Sequence, residues 1–206
     1  MENQIPTNPE TAAPDKRKAG EVIRDYIVLF LGAGTIIFLD TWTKTLVNKY
    51  IPVGGAWLPE KMSQFLRYFR VTHLHNKGTA FSMFADTDQI NIIIGILAAL
   101  VSLVIIIIFP RIDQKDRALR IAILLQLGGT IGNLISRVQY GYVLDFISVG
   151  SFAVFNIADS SLVTGAALMI LAVLVEEIKE VQHRREAAQN SIDQEENGQP
   201  DIPPAD

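Results

Sequence analysis

Apolar and polar residues are segregated along this chain rather than interleaved. Four long apolar runs lie between two polar ends. The clearest run, Ile90 to Phe109 (INIIIGILAALVSLVIIIIF), carries no charge. At about 1.5 Å per residue it is long enough to cross a hydrocarbon core of about 30 Å. Ile157 to Val175 is a second clear span, with one acid, Asp159, near its start. Ala118 to Ile135 is a third, interrupted by Arg120, Gln126 and Asn133. The fourth, Tyr26 to Leu39 (YIVLFLGAGTIIFL), is too short to cross by itself. Its helix is therefore expected to continue through DTWTKTLV, which brings Asp40 and Lys44 to the membrane boundary. Basic residues precede this first run as they would a secretory leader. No small-x-small cleavage site follows it, and three more spans do, so an uncleaved signal anchor is expected.

The ends read differently. Residues 1–25 are rich in Pro, Thr, Asn, Lys and Glu, with no apolar stripe, and are expected to be a disordered cytoplasmic arm. Residues 183–206 read the same way, which leaves 26–182 as one membrane domain. The connection from 48 to 89 is too long for a simple loop. FLRYFRVTHLHN followed by KGTAFSMF is rich in aromatic and β-branched residues, with a turn signal at Asn76-Lys77-Gly78. It predicts a small antiparallel sheet on the membrane surface, preceded by a short interfacial segment with Trp57 at the headgroup level. The expected fold class is thus an α-helical membrane protein of four transmembrane helices with a small extracytoplasmic antiparallel sheet. Gly128 and Gly132, and Ser161 and Gly165, have the small-xxx-small spacing of close helix contacts. Chance lipid-facing glycine is the equally weighted alternative.

Charge then sets the orientation. Lys16, Arg17, Lys18 and Arg24 precede the first span, and Arg111, Lys115, Arg117 and Arg120 cluster between the second and third. The connection between the third and fourth holds only Arg137. Positive residues stay inside, so both termini are expected in the cytoplasm and the two other connections outside. Across all 206 residues, 49% are hydrophobic, 19% are charged and the net charge is -4. That weakly acidic balance gives no support to nucleic-acid binding. Cysteine is absent, which removes disulfides, thiolate metal sites and a cysteine nucleophile.

The acids carry the candidate chemistry. Between Arg117 and Val175 the only two are Asp145, in GYVLDFI, and Asp159, in FNIADSS. The topology puts both at the outer end of the bundle. Ionisable groups at membrane depth are costly and usually functional. Two neighbouring carboxylates share a proton and titrate as a unit, so one can activate water while the other donates a proton. The plain alternative is that Asp159 is a helix cap and Asp145 an exposed loop acid. Asn133 and Arg137 lie one turn apart at the same end, and Asn156 and Asn76 are placed to join them. Asp40 and Lys44 form an i,i+4 pair, read as a brace. His73 and His75 share a strand face, but a metal needs a third ligand, and none has suitable spacing. Ser160 and Ser161 beside Asp159 would need Lys44 or Lys77 close by to act as nucleophiles, and nothing indicates that.

These stretches, in this order, resemble the lipoprotein signal peptidases, the signal peptidase II family. The matching pieces are DTWTK at 40–44, NKGTAFSMF at 76–84, GGTIGNLISRVQYGYVLDFI at 128–147 and FNIADSS at 155–161. The resemblance covers about Tyr26 to Glu177. It implies a membrane-embedded aspartic endopeptidase that cuts signal peptides from diacylglyceryl-modified prolipoproteins, just before the lipidated cysteine. It implies Asp145 and Asp159 as the catalytic pair and Asn76, Gly78, Asn133, Arg137, Asn156 and Ala158 as the substrate-binding set, with Asp40 and Lys44 as support. It implies four transmembrane helices with a β-cradle, located in the bacterial cytoplasmic membrane with the active site at the outer face. The expected partners are lipidated prolipoproteins and membrane lipids, with the chain acting as a monomer, and no cofactor or metal is expected. One departure stands out: the family usually has an acid just before the arginine of GNxxxR, and here it is Ser136. Losing that charge is expected to make the pair easier to ionise. The alternatives are a small proton-coupled transporter and a non-catalytic membrane scaffold.

Overall fold

The computed structural model describes residues 18–57, 68–77, 88–150 and 152–197, with side chains described up to 190. Four helices dominate it: α1 (Ala19–Tyr50), α2 (Asp88–Ile108), α3 (Arg117–Tyr140) and α4 (Ile157–Asn197). Each contains a window long and apolar enough to cross a membrane. Their boundaries follow local chemistry. α1 stops at Ile51 before Pro52, as the residue ahead of a proline is pushed out of the helical region. α2 tightens into a 3-10 turn over Phe109–Arg111, at Pro110. α3 ends on Gly141, whose φ of 74° puts it in the left-handed region and whose N–H returns to the Arg137 carbonyl.

The helices turn their apolar side chains outward, the reverse of a water-soluble fold. Ile93, Leu97, Leu103, Val163 and Leu171 are all more than half exposed, where lipid would cover them. The buried core is small and split. One cluster, Leu29, Ala33, Phe109, Ile112 and Leu127, binds α1 to α3 and the 3-10 turn. A second, Val47, Ile51, Leu144 and Phe146, seals the sheet onto the end of α1.

Close approach of backbones is required at both small-residue pairs. A Cβ on Gly128 would sit 2.7 Å from the Ile36 Cβ, and one on Gly165 would sit 2.8 Å from the Ala122 carbonyl oxygen. A Cβ on Gly132 would meet Asp40 Oδ2 at 3.0 Å. The spacing therefore marks helix contacts of α3 with α1 and α4.

The sheet has three antiparallel strands in the order β1 (Ala56–Trp57), β2 (Phe69–Asn76), β3 (Val143–Val149). The pairing differs from the local hairpin expected at Asn76-Lys77-Gly78. β2 pairs with a strand nearly seventy residues on, in a register that sets Asn76 opposite Val143 and Leu74 opposite Asp145. Gly78 and most of KGTAFSMF lie outside the described residues. The β3 stretch VLDFISV falls in the expected connection between the third and fourth spans, yet its alternating branched residues have strand character. Past β3 the chain folds back, and Phe155 bridges Ile147 through reciprocal backbone bonds of 3.0 and 2.7 Å.

The polar ends also differ from expectation where they are described. α1 begins at Ala19, inside the expected disordered arm, and Asp25 is 1% exposed. Its solvated look came from reading it without Arg120, which it meets at 2.6 Å. α4 runs on to Asn197 through the segment expected to be a disordered tail. Glu, Lys, Gln, Ala and Arg are strong helix formers, and the Arg184–Glu180 pair bridges one turn of it.

Candidate active site

Asp159 occupies the first turn of α4, and the chain there folds by helix-capping chemistry. Asn156 precedes the helix. Its side-chain oxygen accepts the Asp159 N–H at 2.8 Å, while its own N–H donates to Asp159 Oδ2 at 3.2 Å. This reciprocal arrangement is a capping box built from Asn and Asp. The capping reading and the catalytic reading of Asp159 are therefore compatible: the cap aims the carboxylate.

Asp145 is no exposed loop acid. It lies in the middle of β3 and is 3% exposed. Its two oxygens accept from two asparagines, Oδ2 from Asn76 Nδ2 at 2.9 Å and Oδ1 from Asn156 Nδ2 at 2.8 Å. The antiparallel register delivers Asn76, and the Phe155–Ile147 bridge delivers Asn156. Burial pushes the Asp145 carboxyl up to about 6, from an ordinary 3.8. The Asn76 bond opposes that rise, the Asp159 charge adds to it, and the Asn156 bond and Lys44 oppose it.

Asn156 thus touches both aspartates. It is 0% exposed, and its amide also reaches Asn133 Oδ1 at 3.2 Å. Asn133, on α3, donates to Asp159 Oδ1 at 2.7 Å and accepts from Lys44 Nζ at 3.1 Å. One continuous hydrogen-bonded cluster therefore links α1, β2, α3, β3 and α4. Lys44 pairs with Asp40 at 2.7 Å and donates to Ser136 Oγ at 3.1 Å. Asp40 in turn accepts the Ala158 N–H at 2.9 Å, tying the first turn of α4 to α1. The Asp40–Lys44 brace is real, and it is wired into the cluster rather than lying beside it.

The expected substrate-binding set divides in the structure. Asn76 and Arg137 are partly exposed, and the Arg137 charge interacts with Asp159 and Asp145. Asn133, Asn156 and Ala158 are buried. The two asparagines orient the carboxylates, and Ala158 presents its backbone to Asp40 and its Cβ to Gly132 at 3.3 Å. Gly78 lies outside the described residues. Ser160 and Ser161 donate their hydroxyls to the Asn156 and Ile157 carbonyls. His73 and His75 bond each other at 3.1 Å, and His73 is anchored at 2.7 Å to the Ile51 carbonyl. Among the described residues no group of three or more His, Cys, Asp or Glu could hold a metal.

Sequence reading passed over Asn91. It is 8% exposed, on α2, and donates to the Gly141 carbonyl at 2.6 Å. A lone amide at the head of an otherwise apolar span was the available signal.

Residues 33–175 match the family model described as signal peptidase (SPase) II. A lipoprotein signal peptidase of Dehalococcoides mccartyi is 34% identical over 152 residues, 72% of this chain and 90% of that protein. One from Caldanaerobacter subterraneus is 37% identical over 136 residues, 65% of this chain and 87% of the relative. One from Acinetobacter baumannii is 37% identical over 150 residues, 70% and 82% of the two chains. A solved structure described as a bacterial membrane enzyme superposes with a TM-score of 0.63 at 27% identity, covering 73% of this chain and 89% of the other.

Proposed function

We propose that this chain, which belongs to the signal peptidase II family, is an aspartic endopeptidase that removes signal peptides from diacylglyceryl-modified prolipoproteins by cutting before the lipidated cysteine. The single observation that carries the reading is the asparagine bridge: one buried amide holds Asp145 and Asp159 together at the sheet end of the bundle.

The chemistry follows from that pair. One carboxylate takes a proton from a water as its oxygen attacks the scissile carbonyl carbon. The other, protonated, donates to the carbonyl oxygen; the first carboxyl then gives the proton it took from water to the amine as the C–N bond breaks, and the second recovers its own proton as the diol collapses to the acid. The products are a carboxylic acid and the amine of the lipidated cysteine. The raised Asp145 carboxyl suits a pair that shares a proton near neutral pH. The partial exposure of Arg137 and Asn76 supports assigning them to hold the peptide backbone.

The protein is a multi-pass membrane protein of four transmembrane helices. The distribution of Lys and Arg supports both termini in the cytoplasm and the aspartates at the outer face.

The test is processing of a lipidated precursor by the purified protein. Asp145→Asn and Asp159→Asn are each expected to lower the rate by about a thousandfold or more, with the protein still folded. Wild-type rates from either variant would overturn the assignment.

A further inference from the structure

A groove between α2 and α3 shares Arg137 with the aspartate cluster and otherwise lies outside it. It encloses about 560 Å³. Its floor is made of small and apolar positions, Gly95, Ala99 and Leu134, and a Cβ added at Gly95 would meet only Leu134 Cδ1, at 3.7 Å. Its rim opens sideways to the surroundings of the bundle, with Ile96 56% exposed. From Asn91 to Ala99 it runs roughly 12 Å along the helix.

The two ends are unlike. Towards Ala99 the groove is wholly apolar. Towards the sheet it meets Asn91 and Arg137. Asn91 Oδ1, an acceptor, and Arg137 Nε, a donor, are both buried there with no hydrogen-bond partner among the described residues. Leaving such groups unpaired is costly, because each has lost its water without gaining a partner. Arg137 also interacts with Asp145 and Asp159, so this end of the groove adjoins the aspartates.

An occupant must therefore enter from lipid, be slender and apolar along most of its length, and end in a head that both accepts and donates. A peptide helix is about 10 Å across and too wide to sink between two packed helices. An alkyl chain is not, and an ester carbonyl with a neighbouring amide N–H supplies the head. We propose that the α2–α3 groove seats one acyl chain of the lipidated substrate, with Arg137 and Asn91 holding the ester and amide at its head. This rests on the peptidase reading above and adds to it a lipid subsite distinct from the aspartates.

Filling the groove tests it. Gly95→Leu is accommodated by the backbone and projects into the groove. Wild type and variant are given two precursor peptides of one sequence, one with two sixteen-carbon acyl chains and one with two six-carbon chains. The expected result is a fall of about tenfold in the variant's long-to-short ratio of kcat/KM relative to wild type, carried by KM for the long-chain substrate. An unchanged ratio would overturn the proposal. A second arm places a photoreactive diazirine in the acyl chain or in the signal peptide. Labelling of residues 91–99 and 134–138 from the chain supports the subsite, and labelling there from the peptide alone overturns it. Failure of wild type to cleave either substrate would instead strike the peptidase reading, so the two failures are distinguishable.

Discussion

The two ends of the bundle each bury an ion pair on α1, and they use it differently. At the end away from the sheet, Asp25 meets Arg120 at 2.6 Å. Arg120 also donates to the Ile112 carbonyl at 3.1 Å and lies 4.4 Å above the centre of the Phe109 ring. Those contacts close on the protein's own framework, pinning α3 and the 3-10 turn to α1. At the sheet end, Asp40 meets Lys44 at 2.7 Å, and both partners reach onward: Lys44 to Asn133 and Ser136, Asp40 to the start of α4. Asn133 then reaches Asp159. The same kind of pair is a clamp at one end and a support for candidate chemistry at the other. The difference lies in what the pair's remaining donors and acceptors touch.

That contrast can be broken. The largest effect is expected from Asn156→Leu. It removes the amide that donates to the Asp145 carboxylate and accepts the Asp159 N–H; the lost bond to the charged group alone is worth about 1.5–3 kcal/mol. Activity on a lipidated precursor should fall about a hundredfold or more. Lys44→Met and Arg120→Met form the next pair. Each removes the cation from a buried carboxylate, so each should lose about 3–5 kcal/mol of stability, read by thermal unfolding in detergent. Their activities per folded molecule should separate: Lys44→Met falls about tenfold or more, while Arg120→Met stays within about twofold. Equal losses of activity would erase the distinction between the two ends.

Acid then sharpens it. The folded state raises the Asp145 carboxyl to about 6 from 3.8, so the native protein holds that proton more tightly than the unfolded chain. Stability contributed by the protonated form is full below about pH 4 and is lost as pH rises through about 6. Asp145→Asn should therefore melt higher than wild type at pH 7, and the gap should narrow towards pH 4. The rate profile of the wild type should show an ionisation near pH 6. The smallest effect is expected from Ser136→Asp, which adds a negative charge beside Lys44 and should move that ionisation upward by a few tenths of a unit.

Legibility in the sequence followed the range of the interaction. The four spans were readable because lipid acts on each helix separately, through length and apolarity. Asp145, Asp159, Asn133 and Arg137 stood out as polar residues at the ends of oily runs. Contacts between distant residues were not readable in this way. Asp25 looked solvated because its partner is 95 residues away, and β2 was assigned a neighbouring partner because a turn signal says nothing about β3. Asn156 and Ala158 fell into the expected binding set, yet both are fully buried. Which side of a motif faces a ligand and which faces the framework is decided by packing that no spacing encodes.

The hydrogen bond from Ala158 to Asp40 spans 118 residues and has a consequence for biosynthesis. The cluster draws on the first helix and on the opening turn of the last. A nascent chain halted anywhere before that turn carries some of the required groups and no assembled centre. A ribosome must therefore deliver nearly the whole membrane portion before the two proposed catalytic aspartates can meet.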